Sequence, residues 1–263
     1  MVTTLPLNYV EVPAPAVAVG GVLAAARVVP AASTHDLGGA QYLTDACAEG
    51  NVWLEFCFDA ASNATKEFAD APEVVEGAPF AVYAGVGCDL ARPQDSATRA
   101  RNRLDYTERH QIDLHVVDWL GTNSADLGGP LPIARAIGIL ENYIAAAYGG
   151  VPVLYIPRVL IPEAAQQGLV TPSLNGGLVT AQGSVVANVD VDPTTTTFSI
   201  FASGQITLIR GPLIEALAPA GGIQADGTAA NPSRALAERI YVPLIECVAA
   251  RLTVCDADCG TTP

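Results

Sequence analysis

The chain has one lysine, Lys66, beside twelve arginines, and its 13 basic residues face 27 acidic ones, leaving a net charge of −14. A surface so short of cations cannot release many counterions from phosphates, which excludes a dedicated nucleic-acid binder. The same shortage disfavours docking on an anionic membrane. Aromatic residues make up only 6% of the 263 residues and charged ones 15%, while 50% are hydrophobic. The chain is too apolar to be disordered, and its core has to be built from Ala, Val, Leu and Ile. The apolar run Ala14 to Ala26 is rich in Gly and Ala and ends at Arg27. It is too short to cross a bilayer and lacks the positive flank of a signal peptide, so it reads as part of an extended arm.

Signatures of chemistry are scarce too. Gly85-Val86-Gly87 begins like a dinucleotide loop, but the third glycine is absent. No GxxxxGK[ST], GxSxG or HExxH stretch occurs. His35 lies in a Gly-rich loop, and His110 and His115, five apart, fall about 140° from each other round a helix. Cys47, Cys57, Cys88, Cys247, Cys255 and Cys259 are scattered through core-like sequence in a chain long enough to fold without staples. They read as buried, reduced thiols in a cytosol. Cys255 and Cys259 supply at most half a zinc site. No catalytic residue, cofactor or metal is expected.

What is present is an ordered series of parts. Residues 1–40 carry Pro6, Pro13, Pro15, Pro30 and two Gly-Gly pairs, which forbid a long helix. Short β-like stretches at 52–58 and 80–86 flank a polar segment, 59–77, that holds Lys66 and several carboxylates. A helix follows from Ser96 to Leu120, stopped at Gly121. Its apolar stripe is thin: Leu104, Ile112, Val116 and Trp119, with Ala97 and Ala100 upstream. Arg99, Arg101, Arg103, Arg109, Asp105, Glu108 and Asp113 occupy the rest. Arg101–Asp105 and Arg109–Asp113 are spaced as exposed i, i+4 pairs, each worth about 0.2–0.5 kcal/mol.

A cleaner helix, Pro132 to Tyr148, repeats Ile133, Ile137, Leu140 and Ile144 and stops at Gly149-Gly150. Strands are expected at 151–156, 178–191 and 197–209, with a short helix at 162–167. One long bent strand is expected over 234–254, where Pro243 argues for an edge or a bulge. The class is α+β. The long charged helix and the two-stranded excursion have too little apolar surface to be covered within one subunit, so neighbouring copies are expected to cover them.

This order of parts resembles the major capsid proteins of tailed bacteriophages, the Hong Kong 97-type fold, and those of actinobacterial phages in particular. The resemblance spans nearly the whole chain. It is carried by Pro79-Phe80-Ala81-Val82-Tyr83 running to Cys88, by the Arg-rich helix ending Val117-Asp118-Trp119-Leu120-Gly121, and by Gly168-Leu169-Val170. Leu178-Val179-Thr180 through Gly183-Ser184-Val185-Val186, Phe201 to Leu208, and Ala237-Glu238-Arg239 continue it.

The resemblance implies an N-arm at 1–40, an E-loop region at 41–80, a peripheral domain from 81–129 and 231–263, and an axial domain at 130–230. It implies a structural, non-enzymatic protein that assembles into pentamers and hexamers of an icosahedral shell around double-stranded DNA, bound without sequence specificity. Portal and separate scaffolding or decoration proteins are the implied partners, and the virion, assembled in the host cytoplasm, the implied location. The roughly 40 residues before the E-loop region are too few for a built-in scaffolding segment, so a separate scaffolding protein or scaffold-free assembly is expected. Candidate contacts between subunits are Lys66, Glu67, Arg99, Arg101, Arg103, Arg109, Asp105 and Asp113. Some capsids of this fold join an E-loop lysine to an asparagine; here Lys66 sits in an acidic, polar stretch, and Asn63, Asn175 and Asn231 are not distinguished as partners. An encapsulin-like compartment of the same fold, and a mixed α/β enzyme, are the alternatives.

Overall fold

The computed structural model describes residues 16, 20–44, 47, 74–87, 96–174, 176–191, 197–219, 233–247 and 249–255. Two sheets organise them. The first has five strands: β1 (Arg27–Pro30), β4 (Phe80–Gly87), β11 (Ile206–Arg210), β12 (Ile214–Pro219) and β13 (Ser233–Ile245). β13 is its axis. One edge of β13 pairs with β11 at Tyr241–Ile245 and with β12 at Ser233–Glu238; β4 lies antiparallel along Arg234–Tyr241. β1 adds a parallel strand outside β11. A separate two-stranded ladder joins β2 (Ala40–Leu43) to β3 (Val74–Gly77), where the polar excursion leaves and returns. Gly77 is buried against β13, so the last four residues of the 59–77 segment belong to the body of the fold.

The long helix α2 (Ser96–Asn123) lies on the first sheet, against β4 and β13. Ala100, Leu104, Ile112, Val116 and Leu120 are fully or almost fully buried, with Ser96 and Glu108 filling the same row. A strict four-residue step advances about 400° for every 360° turn, so the row winds round the helix by about 40° per step. One narrow stripe can therefore face the first sheet early in α2 and meet α1 (Gly21–Ala25), β9 (Val185–Val189) and β14 (Ala250–Val254) elsewhere. Gly121 does not end the helix. A Cβ there would meet nothing, and the helix continues to Asn123.

The second sheet runs β5 (Ala125–Asp126), β14, β10 (Phe198–Ser203), β6 (Val153–Pro157), β9, β8 (Leu178–Thr180), β7 (Val170–Pro172). Helix α3 (Ile133–Ala147) covers it, burying Ile133, Ala136, Ile137, Leu140 and Ile144 against β10 and β14. Pro132 precedes α3 and Gly149-Gly150 follow, as their spacing predicts. All five residues of β6 are buried, which explains its unbroken apolar sequence. The short helix α4 (Ile161–Gln166) packs beside β7.

Three expected long strands are broken: 178–191 turns back at 181–184 between β8 and β9, and the other two change sheet. Residues 197–209 divide at Gly204 into β10 and β11, and 234–254 divide at 246–249 into β13 and β14; in both cases the halves belong to different sheets. The two crossings lie side by side: the Glu246 N–H donates to the Gln205 carbonyl at 3.0 Å. A Cβ on Gly204 would run into the Glu246 backbone, so only glycine lets the strands cross this closely. Pro243 sits where β13 is paired on one edge only, because β4 ends opposite Tyr241.

The cysteines are not all thiols. Cys47 is bonded to Cys247, 200 residues away, and Cys255 is also disulfide-bonded. The expectation of six reduced cysteines is overturned, and Cys255 has no free thiolate to offer a metal. Residue spacing gave no hint of the bond, because the contact is made by the fold. Tyr42 prepares it: its hydroxyl donates to the Ile245 carbonyl and accepts from the Ile245 N–H, holding the start of the excursion two residues from Cys247.

Candidate functional site

The charged helix α2 is the element from which most candidate contacts were drawn, and its faces differ. Lys66 and Glu67 lie outside the described residues. Arg99, Arg101 and Arg103 are exposed and Asp105 is half-buried, whereas Arg109 and Asp113 are buried. Arg101 reaches across the sheet to Glu215 on β12 with two bonds of 2.8 Å, instead of stopping at Asp105 as its ion-pair partner. Arg103 donates to the Gly85 carbonyl on β4 at 3.1 Å.

Arg109 and Asp113 do pair, at 3.0 Å, but inside the subunit. The Asp113 carboxylate also accepts the Val22 N–H at 2.8 Å and the Asp190 N–H at 3.3 Å. Asp190 in turn accepts from Arg109 at 2.6 Å and meets Arg158 at 3.2 Å and His110 at 3.0 Å. Burial pushes the Asp113 carboxyl up to about 6, with the Val22 amide, Arg109 and the Asp190 amide pulling the other way. Next to it the Gly21 N–H donates to the Asn188 side chain at 2.7 Å. Gly21 has φ +69°, and a Cβ on it would collide with the Asp113 carboxylate. The N-terminal segment is thus fastened to the body at Gly21 and Val22 by side chains from α2 and from β9.

A second buried carboxylate, Glu108, accepts from Arg239 at 2.5 Å and from Arg210 at 3.3 Å. Tyr241 lies in this group, and burial together with the Glu108 charge pushes its hydroxyl up to about 12. One charged face of the helix, at Glu108, Arg109 and Asp113, is thus covered within the subunit, while Arg99, Arg101 and Arg103 stay exposed. The covered charge is neutralised within the chain by Arg210, Arg239 and Asp190, the last held in turn by Arg158, and none of these is among the candidate contacts. On α3, Glu141 is buried and accepts the Thr180 and Ser184 hydroxyls at 2.5 and 2.6 Å, fixing the turn between β8 and β9. His115 stacks on Phe80 at 4.0 Å between ring centres. Among the described residues no group of three or more His, Cys, Asp and Glu is placed to hold a metal ion, and no helix is long and apolar enough to cross a membrane.

Apolar side chains remain on the outside. Leu174, at the tip of the β7–β8 hairpin, is fully exposed, and Tyr83 on β4 is 67% exposed. Leu43 and Val74, paired across the base of the excursion, and Val151 and Val159 are also exposed. Such side chains are normal singly, but Leu174, Tyr83, Leu43 and Val74 stand at a hairpin tip or on strands, where another molecule can reach them.

No protein-family model matches the chain, and no curated protein matches it. Solved structures do. The capsid of a native GTA particle, computed with C5 symmetry, superposes with a TM-score of 0.60 at 12% identity, covering 96% of this chain and 95% of that one. The structure titled Gordonia phage Cozz gives 0.57 at 12% identity, over 95% and 91% of the two chains. A virus-like particle from Pyrococcus furiosus gives 0.53 at 8% identity, over 89% and 91%. At such identities the likeness speaks for the fold, and it runs over almost the full length on both sides. The chain has the α+β fold of phage capsid shell proteins, the Hong Kong 97-type.

Proposed function

We propose that the protein is a major capsid protein whose copies assemble into pentamers and hexamers of an icosahedral shell around a phage double-stranded DNA genome. The observation that carries this is the full-length likeness to the shell of the GTA particle and to the phage structures. On this reading residues 1–40 are the N-arm, 41–80 the E-loop region, 81–129 with 231–263 the peripheral domain, and 130–230 the axial domain. The apolar side chains left outside the subunit suit it, since a shell subunit meets copies of itself on several sides. So does the net charge of −14: an acidic wall does not hold packaged DNA by its phosphates. A portal completes the particle, which assembles with a separate scaffolding protein or scaffold-free, with or without decoration proteins.

The test is assembly. The purified chain should sediment as rings and shells and show icosahedral particles in negative stain, with packaged DNA in particles from infected or induced cells. A 27.1 kDa species that stays monomeric in every buffer and at every concentration would overturn the reading. An encapsulin-like compartment, to which the Pyrococcus particle points, would instead give closed shells that enclose protein cargo and no genome.

A further inference from the structure

Strand β4 has eight residues, Phe-Ala-Val-Tyr-Ala-Gly-Val-Gly, without a charge or a proline, and spans about 26 Å. One edge is fully used. The Gly211 N–H donates to the Ile240 carbonyl at 2.8 Å, so the Ile240 backbone groups face the β11 and β12 side of β13. By alternation Arg239 and Tyr241 face β4, opposite Val82 and Phe80. Phe80, Val82, Ala84 and Val86 therefore spend their N–H and C=O groups on β13. Ala81, Tyr83, Gly85 and Gly87 point theirs the other way, and of these Ala81, Tyr83 and Gly87 are exposed and Gly85 half-buried. Among the described residues β4 pairs with no other strand. Among the described residues a bond on this row runs from Arg103 to the Gly85 carbonyl, and it agrees with the alternation.

Soluble monomers guard such an edge with charges, prolines, bulges or a covering element. Among the described residues the guard here is a single guanidinium, and two of the four outward residues are glycines. Arg99, one turn before Arg103 on the same flank of α2, is exposed as well, so a basic strip borders the open edge. The rest of the chain is strongly acidic, with 27 acidic residues against 13 basic, so a second copy brings the complementary charge.

We propose that the outer edge of β4 is a strand-addition site, where an extended, acidic stretch of a second copy of this chain pairs with the Ala81, Tyr83, Gly85 and Gly87 backbone and meets Arg99 and Arg103. The proposal rests on the shell-subunit reading and adds to it the pairing surface. Main-chain bonds provide the affinity in this mode, and the flanking arginines select the partner.

Hydrogen–deuterium exchange at single-amide resolution over 80–87 tests it, comparing the unassembled subunit with shells made from the purified chain alone. Val82, Ala84 and Val86 should be slow in both states. Tyr83 and Gly85 should exchange freely in the subunit and at least about tenfold more slowly in shells. Shells in which these two amides exchange as in the subunit would overturn the proposal and leave the shell reading standing. Slow exchange already in the subunit would overturn it too, because the chain would then cover its own edge. A chain that never assembles would sink both. The Gly85→Pro variant deletes one outward donor and no bond to β13. It should keep the subunit's thermal transition and lose shell formation, and normal shell yield from that variant would count against strand addition; if it fails to fold, the exchange comparison in the wild-type chain still decides.

Discussion

Asp113 has no contact with solvent, and its partners are Arg109 on its own helix and the amides of Val22 and Asp190. Its carboxyl is raised from 3.8 to about 6, so the folded state holds the proton more tightly than the unfolded chain does. The sign is then fixed: this group's contribution to stability is largest below about pH 4, falls as the pH rises, and above about pH 6 the ionised, desolvated carboxylate costs on the order of 1–3 kcal/mol. Carbon-13 NMR of the side-chain carboxyl should give a midpoint near 6, and Asp113→Asn should flatten the decline of the denaturation midpoint between about pH 4 and 6. A midpoint at the ordinary value near 4 would show that the bonds from Arg109 and the two amides outweigh burial. The neighbouring Gly21 is a second sensitive position. Its φ of +69° and its closeness to the Asp113 oxygens leave no room for a methyl group, so Gly21→Ala should destabilise the subunit by about 1–3 kcal/mol. The same change should expose the chain before Arg27 to protease, and unchanged cleavage there would mean that the fastening lies elsewhere.

The disulfide from Cys47 to Cys247 ties the outgoing end of the excursion to the corner where the chain crosses from β13 to β14. Closing a loop of 200 residues restricts the unfolded chain, and bonds of this kind contribute about 2–4 kcal/mol. Replacing both cysteines by serine should lower the unfolding free energy by that amount; reductant should lower the wild-type midpoint at least as far. An unchanged midpoint in the double variant would mean that the Tyr42 hydroxyl and the packing of Gly77 hold the corner alone. This contact is illegible in the sequence for the same reason as the Glu108–Arg239 and Asp113–Asp190 contacts, whose partners stand 131 and 77 residues apart. Helix α3 is legible because its signals are local: apolar residues at steps of four, three and four, a proline before and two glycines after. The breaks in the two long strands that change sheet are hidden because β propensity runs on across Gly204 and across 246–249. The change of sheet is imposed by which strands lie alongside. Neither break alters the order of elements along the chain, and the capsid resemblance rests on the collinearity of its quoted stretches in that order.

For the proposed shell, the question is whether copies would be held together by covalent bonds or by surface complementarity alone. Lys66 is the only lysine, so it is the only side-chain amine that can form an isopeptide bond. Attack on an amide requires the neutral amine, which means a dry pocket that pulls the ammonium well below its usual value of about 10.4. Residues around Lys66 in sequence are Asn63, Thr65, Glu67 and Asp70, and carboxylates at this spacing favour the charged form. A charged Lys66 on a chain with 27 acidic residues is better suited to meeting a carboxylate of a neighbouring copy. Such a contact is screened by salt, so shells should loosen as ionic strength rises. Shells boiled in detergent with reductant should then run as one band near 27.1 kDa. A ladder of dimers to hexamers that survives reduction and disappears in Lys66→Ala would show that a buried, neutral lysine is built in the assembled shell from parts of two subunits.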